Sequence, residues 1–391
     1  MDNLWDAKRA QACKSDLDLR VYTSNLLGQN DTLVLHGGGN TSVKTQINAQ
    51  KVLLVKGSGW DLVSIKAEGF SPVYLDTLLD MAQREKLSDS DMVKEQKSAM
   101  LDENAPNPSV EAILHALIPY KFVDHTHADA IVTISNSLKG DATLKKLFPN
   151  FLIVDYVMPG FLLAQKIYQM TKSLDWSSIE GIILHNHGIF TFDDSAKNSY
   201  DKMINAVSHA EKFLDENARV SIAHNYVHSD CEIEKIVNTL SELQGYKVHI
   251  SINQTPLAAF YASQDNLKEF ASRGVLTPEH IIRTKRTPLI MEDADLEAGL
   301  QKYIKAYEMY FKKYETGEKM LSAAPNYMII KNLAVISFGR TKEEAKIIDD
   351  IVAHTMLAVL RADKLGGYKS ISEKDSFEME YWELEQAKLK K

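Results

Sequence analysis

Histidines at every second position carry the clearest chemistry in this sequence. Asp124-His125-Thr126-His127-Ala128-Asp129 closes an apolar stretch that reads as a strand. In a strand, residues two apart point to the same side, so His125 and His127 can converge on one ion. Leu184-His185-Asn186-His187-Gly188 repeats the spacing at a second expected strand end, and Gly188 permits a tight turn behind it. Three imidazoles around a cation leave at least one coordination position open, which separates a catalytic from a structural site. A lone His-x-His is also what two hydrogen-bonded or solvent-facing histidines look like. Two such elements, each with a carboxylate upstream, weigh towards a metal.

A second group of residues could hold an anion. His36-Gly37-Gly38-Gly39-Asn40-Thr41-Ser42 is expected to follow a strand over Thr32–Leu35, and glycines let backbone N–H groups approach a phosphate closely. Lys56-Gly57-Ser58-Gly59 and Pro108-Ser109 are two further small, donor-rich turns. Asn107-Pro108 reads as a helix start, Asn at the cap and Pro at the first position, which would put Ser109 in a first turn with free N–H groups. No Gly-Lys-Ser/Thr completes a Walker loop, and no Gly-x-Gly-x-x-Gly marks a dinucleotide site. On its own, Glu111 reads as a solvated residue of that helix.

The elements that must position these groups alternate between helix and strand over the first ~230 residues, the pattern of a layered α/β domain. The spacing predicts a helix over 6–27 and short strands over 51–55, 121–126, 181–184 and 189–192. Ser195 caps a helix whose apolar positions run from Tyr200 to Phe213. A polar transition at 217–244 divides the chain into domains 1–235 and 236–391. The second part holds a strand at 248–252 and a helix from Asp295 to about Thr316 with an aromatic stripe. The order strand, turn, strand, capped helix recurs over 327–361, without metal ligands.

Composition limits the remaining classes. The chain has 391 residues, 53 acidic against 45 basic side chains and a net charge of −8, which disfavours a general grip on nucleic acid. No run approaches the ~20 apolar residues of a membrane span. Met1-Asp2-Asn3-Leu4-Trp5-Asp6 has neither a basic leader nor an apolar stretch. Cys13 and Cys231 lie far apart, so histidine and carboxylate must hold any transition metal. The reading is a cytoplasmic protein with neither nucleic acid nor membrane as partner.

Taken together, Gly39-Asn40-Thr41-Ser42, Gly57-Ser58-Gly59, Pro108-Ser109-Val110-Glu111, His125-Thr126-His127 and Asn186-His187-Gly188 resemble the class II aldolase/adducin family, in its order and near its spacing. Thr277 to Lys285, Leu365-Gly366-Gly367-Tyr368 and Glu380 to Leu389 look like the aldolase part of bifunctional rhamnulose-1-phosphate aldolase/alcohol dehydrogenases. This chain stops about where their nucleotide-binding half would begin, so dehydrogenase chemistry is not expected in it.

The resemblance implies an α/β/α sandwich with a central, mostly antiparallel sheet, followed by an α+β C-terminal extension that caps, joins subunits or docks a separate dehydrogenase. It implies a homo-oligomer, the tetramer favoured. His125, His127 and His187 match the ligands of a divalent metal, Zn²⁺ favoured. His185 then stands outside the set. Glu111 matches the catalytic acid/base, and Asn40, Ser58, Gly59 and Ser109 match a sugar-phosphate cradle. Tyr156 falls near where fuculose-phosphate aldolase carries a catalytic interface tyrosine, and Val110 replaces a second phosphate-binding serine. The activity implied is reversible cleavage of a rhamnulose- or fuculose-1-phosphate-like ketose 1-phosphate to dihydroxyacetone phosphate and an aldehyde. A sugar-phosphate epimerase or dehydratase on the same scaffold is the alternative, as is a non-catalytic adducin-like binding protein. Adducin-like members lack the three histidines.

Overall fold

The computed structural model describes residues 1–222, 233–292 and 295–386. Cys231 and Ala387-Lys388-Leu389 lie outside the described residues, as does part of the polar transition. The chain forms two compact units, one of Met1–Ser135 with Gly140–Leu214, the other of Asn136–Lys139 with Asp215–Lys391.

The first unit is built on a seven-stranded sheet. Its strands are β1 (Asn40–Ile47), β2 (Gln50–Lys56), β3 (Phe70–Tyr74), β4 (Phe122–Thr126), β5 (Phe151–Val154), β6 (Gly181–Leu184) and β7 (Gly188–Asp193). Their spatial order is β3-β2-β1-β4-β7-β6-β5, and every pairing but β5 with β6 is antiparallel. The mixed α/β architecture with a mostly antiparallel sheet is therefore the one expected. The central strands are buried throughout, β4 and β6 having no exposed residue; β6 reads as an apolar run for that reason, whereas β4 buries Asp124, His125 and Thr126 as well. Leu114, Val123, Ile182, Phe190 and Phe192 form one part of the core, and Val43, Val52, Ile65 and Phe122 another.

Three local expectations need correction. Thr32–Leu35 is a turn, not a strand, because the Leu33 and Val34 N–H groups both close on the Asn30 carbonyl. The glycine loop therefore leads into β1. The opening helix is two helices, Ala7–Ala12 and Asp16–Gly28, since the Ser15 hydroxyl caps a fresh start. The helix expected from Pro108 begins four residues later, at Ala112. Pro108 instead bridges Gly57, and the Ser109 N–H bonds the Lys56 carbonyl, so 107–109 is tied to the end of β2. Ser109 is thus no first-turn helical residue.

The second unit has a four-stranded sheet, order β8-β11-β10-β9, from β8 (His249–Asn253), β9 (Leu289–Met291), β10 (Tyr327–Ile330) and β11 (Ala334–Gly339). The helix Lys342–Lys364 packs on β8 and β11. Its Thr341 cap accepts the Glu344 N–H at 3.1 Å. The aromatic stripe of Leu296–Tyr314 is packing: Tyr307 and Phe311 are buried, and Phe311 meets Phe377 and Tyr381. Among the described residues no helix is long and apolar enough to cross a membrane.

Candidate metal centre

β4 and the β6–β7 turn deliver the histidines. His125 pairs in register with Phe190 of β7, its ring stacked on the Phe190 ring at 4.0 Å. His127 follows the end of β4, two residues on and therefore on the same side. His187 sits on the tight turn between β6 and β7, where Asn186 takes a left-handed φ of +59°. The three ring centroids are 4.8, 5.1 and 5.1 Å apart, close to an equilateral triangle. The nitrogens they offer all lie within 4.8 Å of one another.

These donors fit a metal. The His125 Nδ1–H donates to the Ile189 carbonyl at 3.1 Å, which leaves the Nε2 lone pair facing inward. His125 Nε2 and His127 Nε2 stand 3.0 Å apart. Two nitrogens bound at ~2.0–2.1 Å to one tetrahedral zinc would be roughly 3.3 Å apart. His125 is fully buried, and burial, although opposed by Glu111, drives its imidazole well below its usual range, so it stands as a neutral donor.

Glu111 faces this cluster, its Oε2 3.5 Å from His125 Nε2 and its Oε1 3.6 Å from His187 Nε2. It is 6% exposed, not solvated. Burial alone would raise its carboxyl, but the facing His125 and His187 rings, the Asn40 amide donor and His127 outweigh that and hold it low. A carboxylate accepts only, so the Asn40 Nδ2–H₂ end must face it, at 2.6 Å. The Asn40 carbonyl then faces His115 Nε2, which carries the proton, and His115 Nδ1 accepts from Ser42 Oγ at 2.8 Å. His115 is fully buried and its imidazole is pushed down to about 3, chiefly by that burial.

Of the remaining expected residues, Asn40 and Ser109 are brought together with Glu111, Asn40 Nδ2 lying 3.2 Å from Ser109 Oγ. Ser58 is half-buried beside them through its N–H bond to the Asn107 carbonyl. Gly59 is exposed with φ at +88°, and a Cβ there would meet nothing within 4 Å. The glycine loop abuts the imidazoles: a Cβ on Gly38 would sit 3.3 Å from His127 Nδ1. Tyr156 lies half-buried just past β5, and it is not among the partners of Glu111 or His125.

Several supporting residues escape motif reading. His115 stands one helical turn after Glu111, an i, i+4 spacing that could have flagged it. The buried Lys56 ammonium bonds the Gly37 carbonyl at 3.1 Å and sets a cation beside the glycine loop. Arg20, fully buried, pairs with Asp124 and reaches the Ser42 and Val123 carbonyls, bracing β1 to β4 immediately before His125. Nothing in the sequence near Arg20 points to that role.

Residues 19–214 match the family described as Class II Aldolase and Adducin N-terminal domain, and 229–389 match Aldolase class II, second domain. A structure of the N-terminal class II aldolase domain of a conserved protein from Thermoplasma acidophilum is 42% identical over 55% of this chain and 99% of that one, with a TM-score of 0.51. An L-fuculose-1-phosphate aldolase structure from Thermus thermophilus is 15% identical over 51% of this chain and 95% of that one, TM-score 0.34. An uncharacterized oxidoreductase, YuxG, from Bacillus subtilis (strain 168) is 28% identical over 99% of this chain. The chain spans 60% of that relative's length.

Proposed function

Since this chain belongs to the class II aldolase and adducin family, we propose that it is a divalent-metal-dependent lyase that reversibly cleaves a ketose 1-phosphate to dihydroxyacetone phosphate and a short aldehyde. The observation that carries this reading is the convergence of three imidazoles with the Glu111 carboxylate 3.5–3.6 Å from two of them.

Cleavage breaks the C3–C4 bond, takes the proton of the C4 hydroxyl and leaves one on C3. A divalent cation, Zn²⁺ favoured, held by His125, His127 and His187 supplies Lewis-acid stabilisation of charge at the carbonyl oxygen, on the order of several kcal/mol. Glu111 moves the proton at C3, a contribution of roughly 10²–10⁴ in rate. Asn40 orients the Glu111 carboxylate, both of whose oxygens face the cluster, since its amide is held from behind by His115. Asn40, Ser58, Gly59 and Ser109, with the Lys56 charge nearby, form the phosphate cradle. Burial of Glu111 and His125 keeps bulk water from the proton's path. Tyr156 keeps a proposed catalytic role, read by its Phe variant in the assembled oligomer.

We take the working form to be a homo-oligomer, the tetramer favoured. A dehydrogenase partner handling the released aldehyde fits both the name and the extra length of the Bacillus relative. The test is to incubate metal-loaded protein with rhamnulose 1-phosphate and fuculose 1-phosphate and assay dihydroxyacetone phosphate. Product that vanishes in Glu111→Gln supports the reading. Conversion to an isomer or dehydrated sugar without dihydroxyacetone phosphate moves it to an epimerase or dehydratase, and no conversion with no bound metal moves it to a binding protein.

A further inference from the structure

His185, the imidazole left out of the triad, does not face solvent. It is 9% exposed, and its Nε2 is buried without a hydrogen-bond partner. The other ring nitrogen bonds the Ser135 backbone carbonyl, and Ser135 Oγ accepts the Asn186 N–H at 3.1 Å. A ring whose Nδ1–H is given to a carbonyl has its Nε2 lone pair directed outward, the arrangement that sets up a metal-ligating histidine. That lone pair points at carboxylates. His185 Nε2 is 3.7 Å from Asp141 Oδ1, too long for a hydrogen bond. His185, Asp141 and Asp155 each offer one ligand atom, and the three atoms lie within 4.8 Å of one another.

The lone pair of a neutral ring opposed to two carboxylates is repulsive unless a proton on the ring or a bound cation lies between them. Lys145 does not neutralise that oxygen: its Nζ bonds Asp141 Oδ2 at 2.8 Å, which leaves Oδ1 turned towards His185. The three ligands come from separate elements of the first unit: the helix Gly140–Leu147, the residue after β5 and the residue after β6. One ion would therefore tie together three segments far apart in the chain.

We propose that His185, Asp141 and Asp155 form a second divalent-cation site, distinct from the triad, with one nitrogen and two carboxylate oxygens from the protein. The two sites share one turn. The left-handed Asn186 sends His187 to the triad and His185 the other way. Their donor sets differ: three nitrogens in the triad select borderline ions such as zinc, and the oxygen-rich second set accepts harder ones such as Mn²⁺. Cation binding there clamps the segment that begins with Asp155 and carries Tyr156 to the turn that carries His187.

The probe is Mn²⁺, titrated up to millimolar into metal-stripped full-length chain, with free ion read by its paramagnetic resonance signal. The wild type should bind two equivalents. Asp141→Asn/Asp155→Asn, whose residues are exposed and whose fold is checked by circular dichroism, should bind one, as should His127→Ala, and the lost equivalents should be different ones. His185→Gln should repeat the aspartate result. Two equivalents retained in the aspartate variant overturn the proposal, and so does a single wild-type equivalent lost only in His127→Ala. A single wild-type equivalent lost only in the aspartate variant sustains the proposal and instead counts against the triad.

Discussion

The Asn40 amide donates to the Glu111 Oε2 at 2.6 Å while its carbonyl is held by His115 Nε2, so the carboxylate facing the three imidazoles is oriented through one carboxamide. Removing that donor leaves a buried charge with one hydrogen bond fewer. Asn40→Ala should shift the acid limb of the kcat profile to higher pH, because the amide bond helps hold the Glu111 carboxyl low. Zinc should still bind. A pH–rate profile with parallel metal analysis checks both.

Glu111→Gln keeps size and removes the titrating group. Turnover should fall by roughly 10²–10⁴, with little change in zinc stoichiometry, since the three imidazoles remain. Loss of metal in this variant would show Glu111 to be a ligand and not the proton carrier.

His115 predicts an acid-side loss of stability. Native burial holds it neutral down to about 3, whereas the unfolded chain takes up a proton near 6.5. Between those values the unfolded state binds more protons, so stability is full above pH 6.5 and is lost as pH falls towards 3. The total is on the order of 5 kcal/mol. Urea unfolding at several pH values should give a shallower slope for His115→Gln than for the wild type.

Arg20 and Asp124 form an ion pair with neither side chain exposed. Arg20→Met strands the Asp124 carboxylate beneath β4 and should cost ~3–5 kcal/mol. Removing both charges as Arg20→Met/Asp124→Leu should be less damaging than either single change, which a double-mutant cycle in denaturant measures.

Gly188 is required for space. A Cβ there would lie 2.3 Å from the Thr126 carbonyl oxygen and 3.0 Å from His125 Cε1. Gly188→Ala should weaken zinc binding by about 10–100-fold, the range for disturbed supporting groups of a metal site. Gly59→Ala, where nothing crowds the new atom but the φ of +88° strains an alanine, should lower stability and leave zinc affinity unchanged.

Much of the centre was legible because its logic is local. Period-two spacing put His125 and His127 on one side, and a glycine after His187 marked its turn. The strands at 181–184 and 188–193 were readable from the apolar residues that a buried central strand requires, and 122–126 from Phe122 and Val123 ahead of the alternating histidines. What was not legible depends on distance in the chain. Thr32–Leu35 has strand composition but closes on Asn30, and Pro108 has a helix-start signature but is taken up by a bridge to Gly57. Arg20 meets Asp124 across 104 positions, and Asn40 meets His115 across 75. His185 has the same spacing as a ligand of the triad, and only the left-handed turn at Asn186 turns it towards Asp141 and Asp155.

X-ray absorption at the zinc edge, on protein loaded with one equivalent, reads the convergence of the three imidazoles on one ion most directly. Three imidazole nitrogens at ~2.0–2.1 Å are expected, with the imidazole scattering diminished in His127→Ala and in His187→Ala. A zinc shell with fewer than two imidazoles, or one indifferent to both substitutions, would contradict it.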